Sequence, residues 1–345
     1  MNNRMSRHDS PTDIHDQGQG LFPSTHKLAL FITALIYISV AIAVYLYVDQ
    51  HALDKAFSLP LLLVATLLGL SLLNYVVRAW RWVVLGNTLG LQVPMARNIL
   101  YYFAGYSLTS TPGKAGEAIR LWFLKTGHGI PYERSLPIML ADRVIDTWAV
   151  LMIALVSIAG FAQYQWQGAV LSLLIALASL PVLYPRRFQP VLDSLYRLAP
   201  RRARLIVRGR RALRAMAELA SWRTYGLTLL PTIVGWLAEG AALYLLLQHF
   251  GADVGFLNAV FIFSFSLIVG AISMLPGGLG SSEAAIVILL RTQGVDLDIA
   301  LVITAIIRVT TFWFAVAIGL LLMPAALRAA TPLLAESAPT TMEQP

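Results

Sequence analysis

The chain has 345 residues, of which 57% are hydrophobic and 13% charged, with a formal net charge of +8 and no cysteine. That balance excludes a water-soluble globular protein and indicates a polytopic membrane protein. The missing cysteines exclude disulfides and thiolate metal sites, and the histidines (His8, His15, His26, His51, His128 and His249) fall in tails or loops without ligand spacing, so no metal and no cofactor is expected.

In chain order, residues 1–26 mix arginine with aspartate and read as a disordered cytoplasmic tail. The first apolar run, 28–48, has no small-residue cleavage site after it and predicts a retained signal-anchor helix. Further runs near the length that crosses roughly 30 Å of hydrocarbon lie at 59–77, 136–160, 167–184, 225–248 and 297–323. Two more apolar regions, 98–124 and 256–290, are broken in the middle by proline-glycine motifs. The expected fold is therefore all-α, with about six transmembrane helices and two re-entrant helical hairpins, filling residues 27–325. A basic loop at 185–223 interrupts this unit, and 326–345 reads as a second tail.

The two breaks repeat one another. Pro112-Gly113-Lys114-Ala115-Gly116-Glu117 returns as Pro276-Gly277-Gly278-Leu279-Gly280, with Glu283 three residues on. A basic-threonine pair closes each following stretch, Lys125-Thr126 and Arg291-Thr292. A glycine then precedes an arginine inside an apolar run by the same interval, Gly129 to Arg143 and Gly294 to Arg308. Repeat one thus covers about 98–160 and repeat two about 256–323. Helix-breaking glycines duplicated within hydrophobic segments point to a transport site between structural repeats.

Charge sets the orientation. Between Pro185 and Trp222 lie ten arginines against Asp193 and Glu218, which marks that loop as cytoplasmic. Counting crossings back from it puts the loop around Gly127–Arg134 and both termini inside. The segments left outside, about 49–58, 161–166 and 249–255, hold Lys55 as their only Lys or Arg. Leu198, Leu205, Ile206 and Leu213 among the arginines suit a helix lying on anionic lipid, and a solvated hairpin fits as well. No aromatic or motif pattern accompanies the charge, so nucleic acid is not an expected partner.

Three crossings separate the two interrupted regions, an odd number, so the hairpins are expected to enter from opposite faces. Unwound backbone at membrane depth survives where it is buried in protein or lines a wet cavity, so the tips should meet near the midplane. Helices starting after Gly116 and Gly280 would aim free N–H groups there. Lys114, Arg120, Arg143 and Arg308 bring cations to this region, and Glu117, Asp142, Asp146, Glu239 and Glu283 can pair with them. One Arg or Asp at the bilayer centre costs about 2.5–3.5 kcal/mol on insertion scales, so several require pairing or a function. An anion such as phosphate fits, since it takes an arginine bidentately and accepts backbone N–H bonds as well. Pairing of Arg143 with Glu117 or Asp146, and of Arg308 with Glu283, would equally lock hairpin to helix. Asp142 and Arg143 lie early enough in their helix to snorkel to the inner surface. Arg78 and Arg81, flanked by Trp80 and Trp82, read as an interfacial anchor.

Enzyme motifs are missing. No G-x-S-x-G elbow, Walker loop or dinucleotide-binding setting occurs, and no long soluble segment could house an ATPase. Transport would be passive, ion-coupled or driven by a partner.

The run Arg78-Ala79-Trp80-Arg81-Trp82, the Thr111–Glu117 motif with Arg120, Asp142-Arg143-Val144-Ile145-Asp146, and Pro276–Gly280 with Glu283 and Arg308 resemble the flippase-like membrane domain of bacterial lysylphosphatidylglycerol synthases and of stand-alone membrane proteins of bacteria and archaea. The resemblance covers roughly residues 28–325. It implies two re-entrant elements and the movement of phospholipid or polyprenyl-phosphate-type headgroups between leaflets of the inner membrane. Asp142 departs from the Glu of many relatives. The large soluble domain of the aminoacylating synthases has no counterpart after residue 330, so lipid aminoacylation is not expected. Two other readings follow from the residues: a membrane transferase with Glu117 or Asp146 as base, and a non-catalytic partner of an envelope-lipid enzyme that docks through the arginine loop.

Overall fold

The computed structural model describes residues 57–109, 115–158 and 221–331, together with scattered positions such as Asp54 and Leu219; for 115–117 and 222 it describes the backbone alone. The N-terminal tail, the run at 28–48, most of 167–184 and of the basic loop, Pro112, Gly113 and Lys114, and residues 332–345 lie outside these residues; 326–330, expected to belong to the C-terminal tail, instead complete the last helix.

Every regular element among the described residues is helical. Helix α1 (Leu61–Thr88) is followed by α2 (Met95–Ala104), which tightens into a 3-10 turn at Gly105–Leu108. After the first break come α3 (Ala115–His128) and α4 (Tyr132–Ser157). The second half runs through α5 (Trp222–Phe250), α6 (Phe256–Ile272), a single turn at Pro276–Gly278, α7 (Ser281–Thr292) and α8 (Leu297–Arg308). One π turn over Val309–Trp313 joins α8 to α9 (Phe314–Ala330). Helix, break, helix and long helix thus occur twice in the same order.

The chain signals its own boundaries. Helices α1, α2 and α4 begin directly after Pro60, Pro94 and Pro131, where a missing N–H costs nothing. Ser221 caps α5 by accepting from the Thr224 amide at 3.1 Å, and Gly251 ends it in the left-handed conformation, φ 73°. At the second break Gly277, Gly278 and Gly280 take φ of 59°, 67° and 81°, a run only glycine adopts cheaply.

Three stretches, Leu61–Thr88, Arg223–Phe250 and Leu297–Ala330, are long and apolar enough to cross a membrane. Helix α4 has the length, at 26 residues, but carries Asp142, Arg143 and Asp146 in its middle. Helix α1 runs eleven residues beyond the expected end at 77, because Arg78 and Arg81 stop the apolar run without stopping the helix.

Packing divides the helices into two apolar clusters. One gathers Leu67 of α1, Ala149–Ala154 of α4, the second half of α5, and α6, α7 and α8 up to Ile307. The other gathers Tyr75–Leu85 of α1, Ile138–Ile145 of α4, α2, α3 and, from α9, Ala315, Ala326 and Ala330. The broken hairpins therefore sit at opposite ends of the long helices. Each hairpin rests on the long helix of the other half: α6 on α4, and α2, its 3-10 turn and α3 on α9. Small residues permit the close crossings. A Cβ at Gly235 would stand 3.2 Å from Asn74 Cα, and one at Gly319 would stand 2.8 Å from the Tyr106 carbonyl carbon.

Candidate functional site

The two apolar clusters change over between Leu70 and Tyr75 on α1, between Ile145 and Ala149 on α4, and between Ile307 and Ala315 on the α8–α9 helix. Polar side chains occupy that level. On α1, Ser71, Asn74, Arg78 and Arg81 form one buried stripe at helical spacing.

Asp142 and Asp146, one turn apart on α4, receive most of the cations. Arg81 is 0% exposed; its Nε donates to Asp142 Oδ1 at 2.8 Å, one terminal nitrogen donates to the same oxygen, and the other donates to Asp146 Oδ1 at 2.8 Å and to the Thr232 hydroxyl at 3.0 Å. Arg78 donates to Asp146 Oδ2 at 2.9 Å and lies 5.0 Å from the Trp236 ring, while the Trp236 indole donates to Asp146 Oδ1 at 3.2 Å. Arg143 pairs with Asp142 at 3.0 Å and with Asp146 at 3.3 Å, and its side chain reaches the surface, 31% exposed. Arg120 stands 4.0 Å from Asp142. Among the described residues, four guanidiniums meet two carboxylates here.

A second group ties the other hairpin. Arg308 Nε donates to Glu283 Oε1 at 2.7 Å, its terminal nitrogen donates to the Gly277 carbonyl at 3.2 Å, and the guanidinium lies 4.6 Å from the Phe312 ring. Arg308 pairs with Glu283 across helix and hairpin, as the spacing suggested, whereas Arg143 and Asp146 pair within α4 and so tie no hairpin to it. The Thr311 carbonyl, in the π turn that follows Arg308, also accepts from the Tyr75 hydroxyl. Ser273 and Ser281 hydroxyls, 2.8 Å apart, close the tip of this hairpin, and the Ser282 hydroxyl donates to Ser266 O at 3.0 Å.

Glu239 joins the two groups. It is 3% exposed, accepts from the Asn74 amide at 2.7 Å, and is within electrostatic reach of both Arg78 and Arg308.

Of the residues expected to meet a ligand, Arg120, Arg143 and Asp146 thus come together in one cluster, and Glu283 and Arg308 in another with the Pro276–Gly280 turn. Gly116 and Glu117 lie in the first turn of α3. Arg78 and Arg81 are not interfacial anchors: the helix continues past them and turns both into the protein. Asp142, 1% exposed, does not snorkel, because Arg81 holds it inside. Asn74, Tyr75, Tyr102, Tyr106, Thr232 and Trp236 were not singled out from the sequence; only the stripe on α1 carried a readable signal.

The family model for the lysylphosphatidylglycerol synthase TM region matches residues 28–319, which takes in both broken hairpins and both charge clusters. The chain belongs to this family. It is similar to two curated UPF0104 membrane proteins of Methanothermobacter thermautotrophicus. They are 24% and 26% identical over 63% and 70% of this chain, covering 71% and 77% of those proteins. A UPF0104 membrane protein of Pyrococcus horikoshii is 23% identical over 72% of this chain and 84% of its own length. A membrane location and the all-helical fold agree with that family.

Proposed function

We propose that this protein carries lipids with anionic headgroups between the two leaflets of the cytoplasmic membrane, as a flippase or scramblase-like carrier without an enzymatic step. The observation that carries the reading is the polar level at which the apolar clusters change over, where, among the described residues, four guanidiniums meet two carboxylates on α4 deep among apolar helices. Taking a charge out of water is costly, and an excess of one sign is relieved by a mobile charge of the other.

The arms of both hairpins support re-entrance. Helices of 10, 14, 17 and 12 residues rise about 1.5 Å per residue and fall short of a 30 Å core. Together with the runs at 28–48 and 167–184, they fit six spans and an inverted repeat with both termini cytoplasmic. An anionic headgroup, phospholipid or polyprenyl-phosphate in kind, would enter beside the part-exposed Arg143 while its tails stay in the bilayer. Arg308 and Lys114 would receive it from the other hairpin and the first break. A transferase is disfavoured by Asp146, whose two oxygens are already taken by three guanidiniums and an indole, a poor setting for a general base.

The test is leaflet exchange in vesicles containing fluorescent phosphatidylglycerol and the purified protein, read by dithionite bleaching. Bleaching is expected to pass beyond the outer-leaflet share toward completion, while protein-free vesicles stop at that share. Identical traces from the two preparations would reject the carrier.

A further inference from the structure

Arg120 is an unusual guanidinium. It is 3% exposed, yet its Nε has no hydrogen-bond partner among the described residues, and its terminal nitrogen stands 4.0 Å from Asp142 Oδ2. The nearby acceptor is committed elsewhere: Asp142 Oδ1 takes both Arg81 bonds, and Oδ2 takes Arg143 at 3.0 Å while Arg120 remains 4.0 Å away. Instead Arg120 is walled by aromatic rings, 3.8 Å from the centre of Tyr102, 5.2 Å from Tyr106 and 5.7 Å from Trp82. The Tyr102 and Tyr106 hydroxyls are buried too; they lie close enough to influence each other, yet neither reaches an acceptor or donor at hydrogen-bond geometry among the described residues.

Burying a polar group unpaired is costly, and more so when it is charged. Arg120 lies against Tyr102 and Tyr106, so a guanidinium and two hydroxyls that can each turn an O–H toward an anion are gathered at one place. We propose that Arg120, Tyr102 and Tyr106 form the seat for the phosphate group of a lipid headgroup. The rings of Tyr102 and Tyr106 cross at 86°, and Arg120 lies over both, so the donors are not coplanar. A tetrahedral oxyanion, with oxygens pointing in several directions, meets such donors better than a planar carboxylate does. The entrance is Arg143, which shares Asp142 Oδ2 with Arg120 and is part-exposed. The seat deepens the carrier reading and depends on it only for the source of the phosphate.

The experiment titrates the detergent-purified protein with dioctanoyl phosphatidic acid, with dioctanoylglycerol and inorganic phosphate as comparison probes. Phosphatidic acid is expected to bind and dioctanoylglycerol not to. Arg120→Gln should weaken phosphatidic acid binding by at least about tenfold, and Tyr102→Phe and Tyr106→Phe by about threefold each. Arg328→Gln, on the exposed end of α9, should leave it unchanged. Removing an unpaired buried hydroxyl is neutral or stabilising, so both phenylalanine variants should melt no earlier than the parent in the absence of lipid. A purely structural aromatic box predicts the reverse, early melting with unchanged affinity, and that result overturns the seat. So does wild-type affinity in Arg120→Gln, or equal binding of dioctanoylglycerol. Inorganic phosphate binding as tightly as phosphatidic acid would keep the phosphate chemistry and overturn the lipid source. Binding as described in a protein that exchanges no lipid would support the seat and count against the carrier.

Discussion

Asp146→Asn is expected to cost the protein about 3–5 kcal/mol of stability, the range for breaking one side of a buried ion pair. The substitution keeps the shape and changes only charge and hydrogen bonding. Asp146 Oδ1 accepts from Arg81 and Trp236, and Oδ2 accepts from Arg78 and stands 3.3 Å from the Arg143 guanidinium. Whichever oxygen becomes an amide nitrogen, a donor then faces donors, and Asp142 is left as the one carboxylate among the described residues of that cluster. In detergent, the melting midpoint of Asp146→Asn should fall by about 10 °C, or the folded species should be lost. Adding Arg78→Met to Asp146→Asn should recover part of the loss, because the two side chains share one interaction and their effects are not additive. An Asp146→Asn protein melting within about 2 °C of the parent would contradict the buried cluster.

Arg308→Ala is expected to reduce lipid exchange in vesicles by more than about tenfold, the loss for deleting a charged hydrogen-bond donor from a buried site. Arg308 ties α8 to the tip of the second hairpin through Glu283 and Gly277 O, immediately before the π turn. In the carrier it exchanges the Glu283 carboxylate for the headgroup anion, so it acts both as lock and as receiver. The single variant leaves Glu283 without this partner, which adds a stability cost. The double variant Arg308→Gln with Glu283→Gln separates the two effects, since it removes both charges together. A lock alone predicts that the double variant regains exchange along with its melting midpoint. The carrier predicts that it regains the midpoint and stays inactive.

The duplicated Pro-Gly breaks and the equal spacing from Gly129 to Arg143 and Gly294 to Arg308 made the helix-break-helix order readable from residue types alone. So was the Arg308–Glu283 pair, because both partners lie within one copy of the repeat. The role of Arg81 was hidden by distance along the chain: its acceptors lie 61 and 65 residues away. The hydropathy drop at Arg78 imitated a membrane interface, whereas the spacing of Ser71, Asn74, Arg78 and Arg81 held the correct answer as a single helical face. Tyr102 and Tyr106 were unreadable for another reason. In an apolar run an aromatic residue suggests packing, and only the fold brings Arg120 against both rings.

In the proposed carrier the two broken hairpins enter from opposite faces of the membrane. The chain has no cysteine, so a single introduced one reports accessibility without background. Glu133 starts α4 after the first hairpin and Asp296 precedes α8 after the second; both are exposed, and Asp296 makes no side-chain cap. In right-side-out membrane vesicles, an impermeant maleimide should label Asp296→Cys directly and Glu133→Cys only after the membrane is opened. Equal labelling of both positions from one side would contradict the account.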